Sequence, residues 1–223
     1  MGCIFERMVS SFRGRHADPD NRLVIHHMAF RVLIHALFVL FHGLLVERRY
    51  LFGYLTYTST DPPMGRSVDV LYTIQLLFHS ASFVFDFLAR DRALLLLHHL
   101  LTVIVIGISW ACRLQSFGLP VMLVMDLTDI PVYMLRISKA QKLPDWVQVS
   151  TAVLTVGSWT VLRGVFVGHI LYRSMLLEDP VAAIRFGRWL LAGLWFMSAY
   201  WTSLIVHKIY RTVRNGGSRV HNY

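Results

Sequence analysis

Residues 93–136 read ALLLLHHLLTVIVIGISWACRLQSFGLPVMLVMDLTDIPVYMLR, and this stretch decides the fold. It holds two apolar runs, about 93–112 and 117–136, joined by a tight turn around Arg113 to Phe117. Each run reaches the length of about 20 residues that a helix needs to cross a hydrocarbon layer about 30 Å thick. Outward from it, further runs of the same kind fall at about 27–46, 68–88, 147–172 and 185–208. Charge or turn residues bound them: Glu47-Arg48-Arg49, Asp61-Pro62-Pro63-Met64-Gly65, Ala89-Arg90-Asp91-Arg92, and Lys139 to Asp145. Polar residues are confined mainly to the ends of the runs, which disfavours a buried soluble core.

Composition agrees. The 223 residues are 55% hydrophobic and 16% charged, with a mean hydropathy of +0.51, whereas a soluble domain averages roughly 45–50% and about 25%. The predicted fold class is all-α, a polytopic membrane bundle of about six transmembrane helices over 26–212, with segment 1–25 before it and tail 213–223 after it. No repeat, low-complexity tract or second domain is visible. Cys3 and Cys112 are too few for a disulfide framework or a CxxC site. No signal peptide is expected, and Glu6 stands where a myristoylation signal after Met1-Gly2 wants Ser or Thr.

A net charge of +9 and a pI near 10.0 would ordinarily raise nucleic acid as a partner. The basic residues instead flank the spans, and they outnumber the others in segment 1–25, the links near 90 and 136–145, and the tail. The positive-inside rule then places both termini in the cytosol. Scattered flanking Arg is not the clustered face that nucleic acid requires, so the expected surroundings are a lipid bilayer and no nucleic acid.

Ionisable side chains inside spans are costly, and each is a functional candidate by default. On the second span Tyr72, Gln75, His79, Ser82 and Asp86 recur at steps of three and four, which places them on one helical face. The third span carries the pair His98-His99, with Thr102 and Ser109 on the stripe of His98. The fourth carries Asp126, Asp129, Tyr133 and Arg136, and the fifth carries Arg163. With the termini inside, His98, Asp86 and Asp129 fall at similar depth, since each residue advances a helix by only about 1.5 Å. The expectation is one polar chamber, open to the cytosolic face and lined by His79, Asp86, His98, His99, Asp126 and Asp129. Arg31, His35, His42 and Ser109 read as interhelical hydrogen-bonding groups. Arg163 reads as a structural partner of a membrane acid at least as much as a reacting group. His26-His27 sits at the membrane edge with no acid near in sequence.

Two His with two Asp is a donor set that zinc accepts, but the HxxxH and HxxHH boxes of membrane di-iron enzymes are absent, and no metal is assigned. The alternative is metal-free chemistry. A neutral imidazole takes a proton from an attacking group, and a carboxylate on its other nitrogen fixes the tautomer.

These residues form a pattern that resembles the TLC-domain family, whose best-known enzymes are the ceramide synthases. The likeness rests on Tyr72, Gln75, Phe78-His79-Ser80, Arg90-Asp91-Arg92 and, above all, on a double motif. The first half is His98-His99-Leu100-Leu101-Thr102; the second is Asp126-Leu127-Thr128-Asp129. Ser109-Trp110, Arg163 and Trp201 also fall where the synthases carry such residues. Met125 stands where the synthase pattern often has His, and Tyr133 where it has an acid.

The resemblance implies a sphingoid-base N-acyltransferase in the endoplasmic reticulum. It implies no cofactor, with acyl-CoA as co-substrate, and His98, His99, Asp126 and Asp129 as the catalytic set. Asp126 and Asp129 would hold the imidazoles or bind the substrate ammonium and hydroxyls. Tyr72, Gln75, His79, Asp86, Thr102, Tyr133 and Arg163 would contact substrate, and Arg90, Arg92, Arg136 and Lys139 would meet the CoA phosphates. A homodimer is the assembly considered. The alternative is a non-enzymatic TLC protein that binds lipid or regulates membrane composition.

Overall fold

The computed structural model describes residues 22–46, 52–55, 65–88, 93–177 and 182–214. Arg90, Arg92 and nearly all of both terminal segments lie outside the described residues. Six helices follow in order: α1 (Arg22–Leu45), α2 (Arg66–Leu88), α3 (Ala93–Ala111), α4 (Gln115–Ala140), α5 (Asp145–Met175) and α6 (Ala182–Arg214). All six are long and apolar enough to cross a membrane, and no strand occurs among the described residues. The expected all-α bundle of six spans is therefore what is found.

The bundle is inside-out relative to a soluble protein. Leu33, Leu44, Leu77, Trp189 and Phe196 point outward, while Arg31, His35, Gln75, Asp126 and Arg163 are buried. Lipid tails are as apolar as Leu, so burying Leu drives no helix association; close packing and interhelical hydrogen bonds do. α4 sits at the centre, packed against α1, α3 and α5. α2 lies against α3, and α6 against α3 and α5.

α4 runs four residues beyond the charged stop expected at Arg136, because nothing in Ile137-Ser138-Lys139-Ala140 breaks a helix. The actual stop is Lys142, in the left-handed region (φ 50), where the Lys142 and Leu143 N–H groups return to the carbonyls of Lys139 and Ser138. Pro144 then precedes α5. The turn between α3 and α4 likewise bends at Arg113 (φ 54).

Small residues permit the closest contacts. A Cβ on Gly118 of α4 would lie 1.9 Å from Ser109 Oγ and 2.3 Å from the Tyr72 hydroxyl, two groups that are hydrogen-bonded to each other at 2.7 Å. Gly118→Ala is expected to separate α2, α3 and α4 and to lower stability by roughly 1–3 kcal/mol. Thermal unfolding in detergent checks this, and an unchanged melting temperature would show that the helices yield.

Between α4 and α5 three donors at steps of four on α5 each reach a carbonyl of α4. Thr155 Oγ1 donates to Pro131 O at 3.1 Å, Trp159 Nε1 to Thr128 O at 3.1 Å, and Arg163 Nη2 to Met125 O at 3.1 Å. α5 widens into a π-helix over Trp159–Phe166, a distortion often found at functional sites. The Gly164 carbonyl in that segment accepts from Trp195 Nε1 of α6 at 2.8 Å. The opposite end of the bundle is stoppered by a 3-10 turn, Gly53–Leu55. Tyr54 is buried edge-on against Phe166 and His169, and Arg173 donates to Leu55 O at 2.6 Å.

Candidate functional site

The two acids of the DxxD motif sit within one turn of α4, and each is held by a different neighbour. Asp126 is 1% exposed. Its Oδ1 lies 2.8 Å from His35 Nδ1 of α1, and its Oδ2 accepts from Gln75 Nε2 of α2. Asp129 accepts from Arg163 Nη2, and His35 Nε2 stands 3.9 Å from its Oδ2. One imidazole therefore sits between both carboxylates, with its ring stacked on Tyr133 at 5.6 Å. Arg163, 1% exposed, also donates from Nε to Thr128 Oγ1 at 2.6 Å. Its guanidinium lies 4.5 Å from the Trp159 ring centroid. A buried charge is tolerable when paired and hydrogen-bonded in this way.

A second cluster lies where α2 ends and α3 begins. His99 Nε2 is 3.0 Å from Asp86 Oδ2, and Arg31 Nη2 is 3.6 Å from Asp86 Oδ1. Arg31 Nη1 donates to the Tyr133 hydroxyl at 2.9 Å, and its Nε lies 3.4 Å from His27 Nε2. His98 Nδ1, both ring nitrogens of His99 and Asp86 Oδ2 are buried with no hydrogen-bond partner of good geometry among the described residues, so the His99–Asp86 approach is a close charge contact. The His98 ring meets the Trp201 ring of α6 edge-on at 5.2 Å. Chemically, this end of the bundle offers two imidazoles with unused nitrogens, one of them beside a carboxylate paired with a guanidinium. Among the described residues, no three or more His, Cys, Asp or Glu side chains converge as a metal-binding group.

The expectation that Asp126 and Asp129 hold the His98 and His99 imidazoles is corrected here. His99 stands against Asp86, and α1 occupies the side of α4 that carries the two acids. Proximity of motifs along the chain did not carry over into pairing, because the helix inserted against α4 comes from the chain's beginning. Tyr72 bonds Ser109, and at 14 residues before Asp86 it sits about 20 Å along the helix from that end.

Gln75 and His79 join the Asp126 side, with His79 Nε2 3.2 Å from Gln75 Oε1. Thr102 Oγ1 donates to His98 O at 2.9 Å. Tyr133 bridges the two clusters through Arg31 and His35, while Arg136 and Lys139 are exposed on the last turns of α4. Arg31 and His35 are the interhelical hydrogen-bonding groups expected, and His27, expected only as a membrane-edge residue, joins them in the network. Their signal was the step of four from 27 to 31 to 35, a face as regular as that of α2.

A family model for the TLC domain matches residues 20–207. No curated protein matches the chain significantly. The matched stretch contains all six spans and every residue of both polar clusters. The chain belongs to the TLC-domain family of membrane proteins, a family whose work concerns membrane lipids.

Proposed function

We propose that the protein is an N-acyltransferase of the ceramide synthase type, joining a fatty acyl group from acyl-CoA to the amine of a sphingoid base. The observation that carries this reading is the His99–Asp86 contact of 3.0 Å beside His98, within a TLC domain. A long-chain amine is mostly protonated at neutral pH and must lose a proton before it attacks a thioester. The Asp86 carboxylate close to Nε2 favours the His99 proton on that nitrogen, which would present Nδ1 as general base. One proton of the ammonium leaves through His99 to solvent before the attack; the nitrogen–carbon bond then forms as the carbon–sulfur bond breaks, and a second proton from the nitrogen passes through His99 to the departing CoA thiolate. The alternative route has His98 or His99 accept the acyl group before the amine arrives. His98 would otherwise steady the thioester oxyanion. The apolar helix faces would take the chains, in an endoplasmic reticulum bilayer with both termini cytosolic. Arg136 and Lys139, with Arg90 and Arg92, would meet the CoA phosphates, and the assembly to test is a homodimer.

The test supplies purified protein with sphinganine and acyl-CoA and follows amide by mass spectrometry. His98→Ala and His99→Ala are each expected to lose at least about 10²-fold in rate, the lower range for a positioned acid or base. Equal rates in wild type and both variants would remove these residues from catalysis.

One observation favours the second reading, a TLC protein that binds lipid without turnover. Asp126 and Asp129 are both engaged by side chains of the protein itself, as in a framework rather than a site awaiting substrate. That reading predicts no amide, but an altered membrane lipid profile on removal of the protein.

A further inference from the structure

A small cavity of about 30 Å³ lies between α2, α3, α4 and α6, with Gln75, His79, Thr102, Met122, Met125 and Leu194 on its wall. A single water needs about 10–15 Å³, so the space takes one small group and no hydrocarbon chain. His79 is buried, and its Nδ1 has no hydrogen-bond partner among the described residues.

The direction of every bond leading to His79 follows from the placement of the Gln75 amide, which turns its NH₂ toward Asp126 Oδ2. That leaves Gln75 Oε1 facing His79 Nε2 at 3.2 Å, and an amide oxygen also only accepts. His79 therefore carries its proton on Nε2 and presents a lone pair at Nδ1. Thr102 has its hydrogen committed to His98 O, so its oxygen likewise offers only lone pairs. Gln75 and Ser109, the other polar residues on the wall, are engaged with Asp126 and with Tyr72 and Leu114 O, and the remainder is apolar.

We propose that this cavity is a subsite for a hydrogen-bond donor head group, an amine or hydroxyl on a long apolar chain, received by His79 Nδ1. A buried acceptor left unpaired is costly, which is why a site built this way rejects a ligand that cannot donate. An ether or ester oxygen brings only a lone pair against a lone pair. Donor selection follows from the cavity alone; that the donor belongs to an amino alcohol rests on the acyltransferase reading.

The test measures the thermal unfolding shift of the detergent-solubilised protein with sphinganine, and with the long-chain methyl ether of equal length that lacks both amine and hydroxyl. Sphinganine is expected to raise the melting temperature and the ether to leave it unchanged, with the sphinganine shift lost in His79→Phe. Equal shifts from both ligands, or a full shift in His79→Phe, would overturn the subsite. Should His79→Phe not fold, the two-ligand comparison on the wild type still decides. Amide formation is measured in parallel. Donor-selective stabilisation without amide sinks the acyltransferase and keeps the subsite, whereas amide with equal shifts does the reverse.

Discussion

Asp86→Asn is expected to lower the rate of amide formation by about 10²–10⁴-fold while leaving the protein folded. The substitution is nearly isosteric, so α2 still meets α3. What changes is the group facing His99 Nε2 at 3.0 Å. A carboxylate there favours the ring proton on Nε2; an amide that turns its NH₂ toward the ring favours the proton on Nδ1, the nitrogen that must be bare. The paired Arg31, 3.6 Å from Asp86, retains Tyr133 as a partner, which limits the cost to folding. Steady-state kinetics on Asp86→Asn and Asp126→Asn, each normalised to folded protein, separates the clusters. Near-wild-type kcat in Asp86→Asn with collapse in Asp126→Asn would return catalysis to the motif acids.

Arg163→Met is expected to cost about 3–5 kcal/mol, the range for breaking a buried ion pair by deleting one member. Arg163 serves Asp129, Thr128 Oγ1 and the Met125 carbonyl at once, and it anchors the π segment of α5 against α4. Met fills similar volume, so the loss is chiefly that of a partner for Asp129. The double variant Arg163→Met/Asp129→Asn removes the orphaned charge and should recover part of the stability. Thermal unfolding in detergent reads both, and a double variant no more stable than the single one would show that packing, not charge, was lost.

The spans were legible because their signal is additive along the chain: long apolar runs between charged links need no knowledge of partners. The displaced boundaries, such as the start at Arg22 and the ends at Ala140 and Arg214, lie where an apolar run was taken to end at polar or charged residues, although Lys, Arg and Ser continue a helix readily. The buried faces were legible for the same periodic reason, and Gln75, His79 and Asp86 do share one buried face of α2. Pairing was not legible. Nothing in Asp126-Leu127-Thr128-Asp129 tells that its acids meet His35, 91 residues earlier, or Arg163, 34 residues later. Such partners are chosen by which helices pack against α4, a property of the whole bundle. The widened turn at Trp159–Phe166 is equally silent in the sequence, since no Pro or Gly pair announces a π segment before Gly164.

The most direct measurement of the central claim is amide formation by the purified wild-type chain in lipid vesicles of defined composition, with sphinganine, acyl-CoA and no other protein. The account predicts amide and free CoA released in equal amounts, at a rate proportional to protein. Folded protein with a normal melting temperature that releases neither would contradict it and leave the lipid-binding reading in its place.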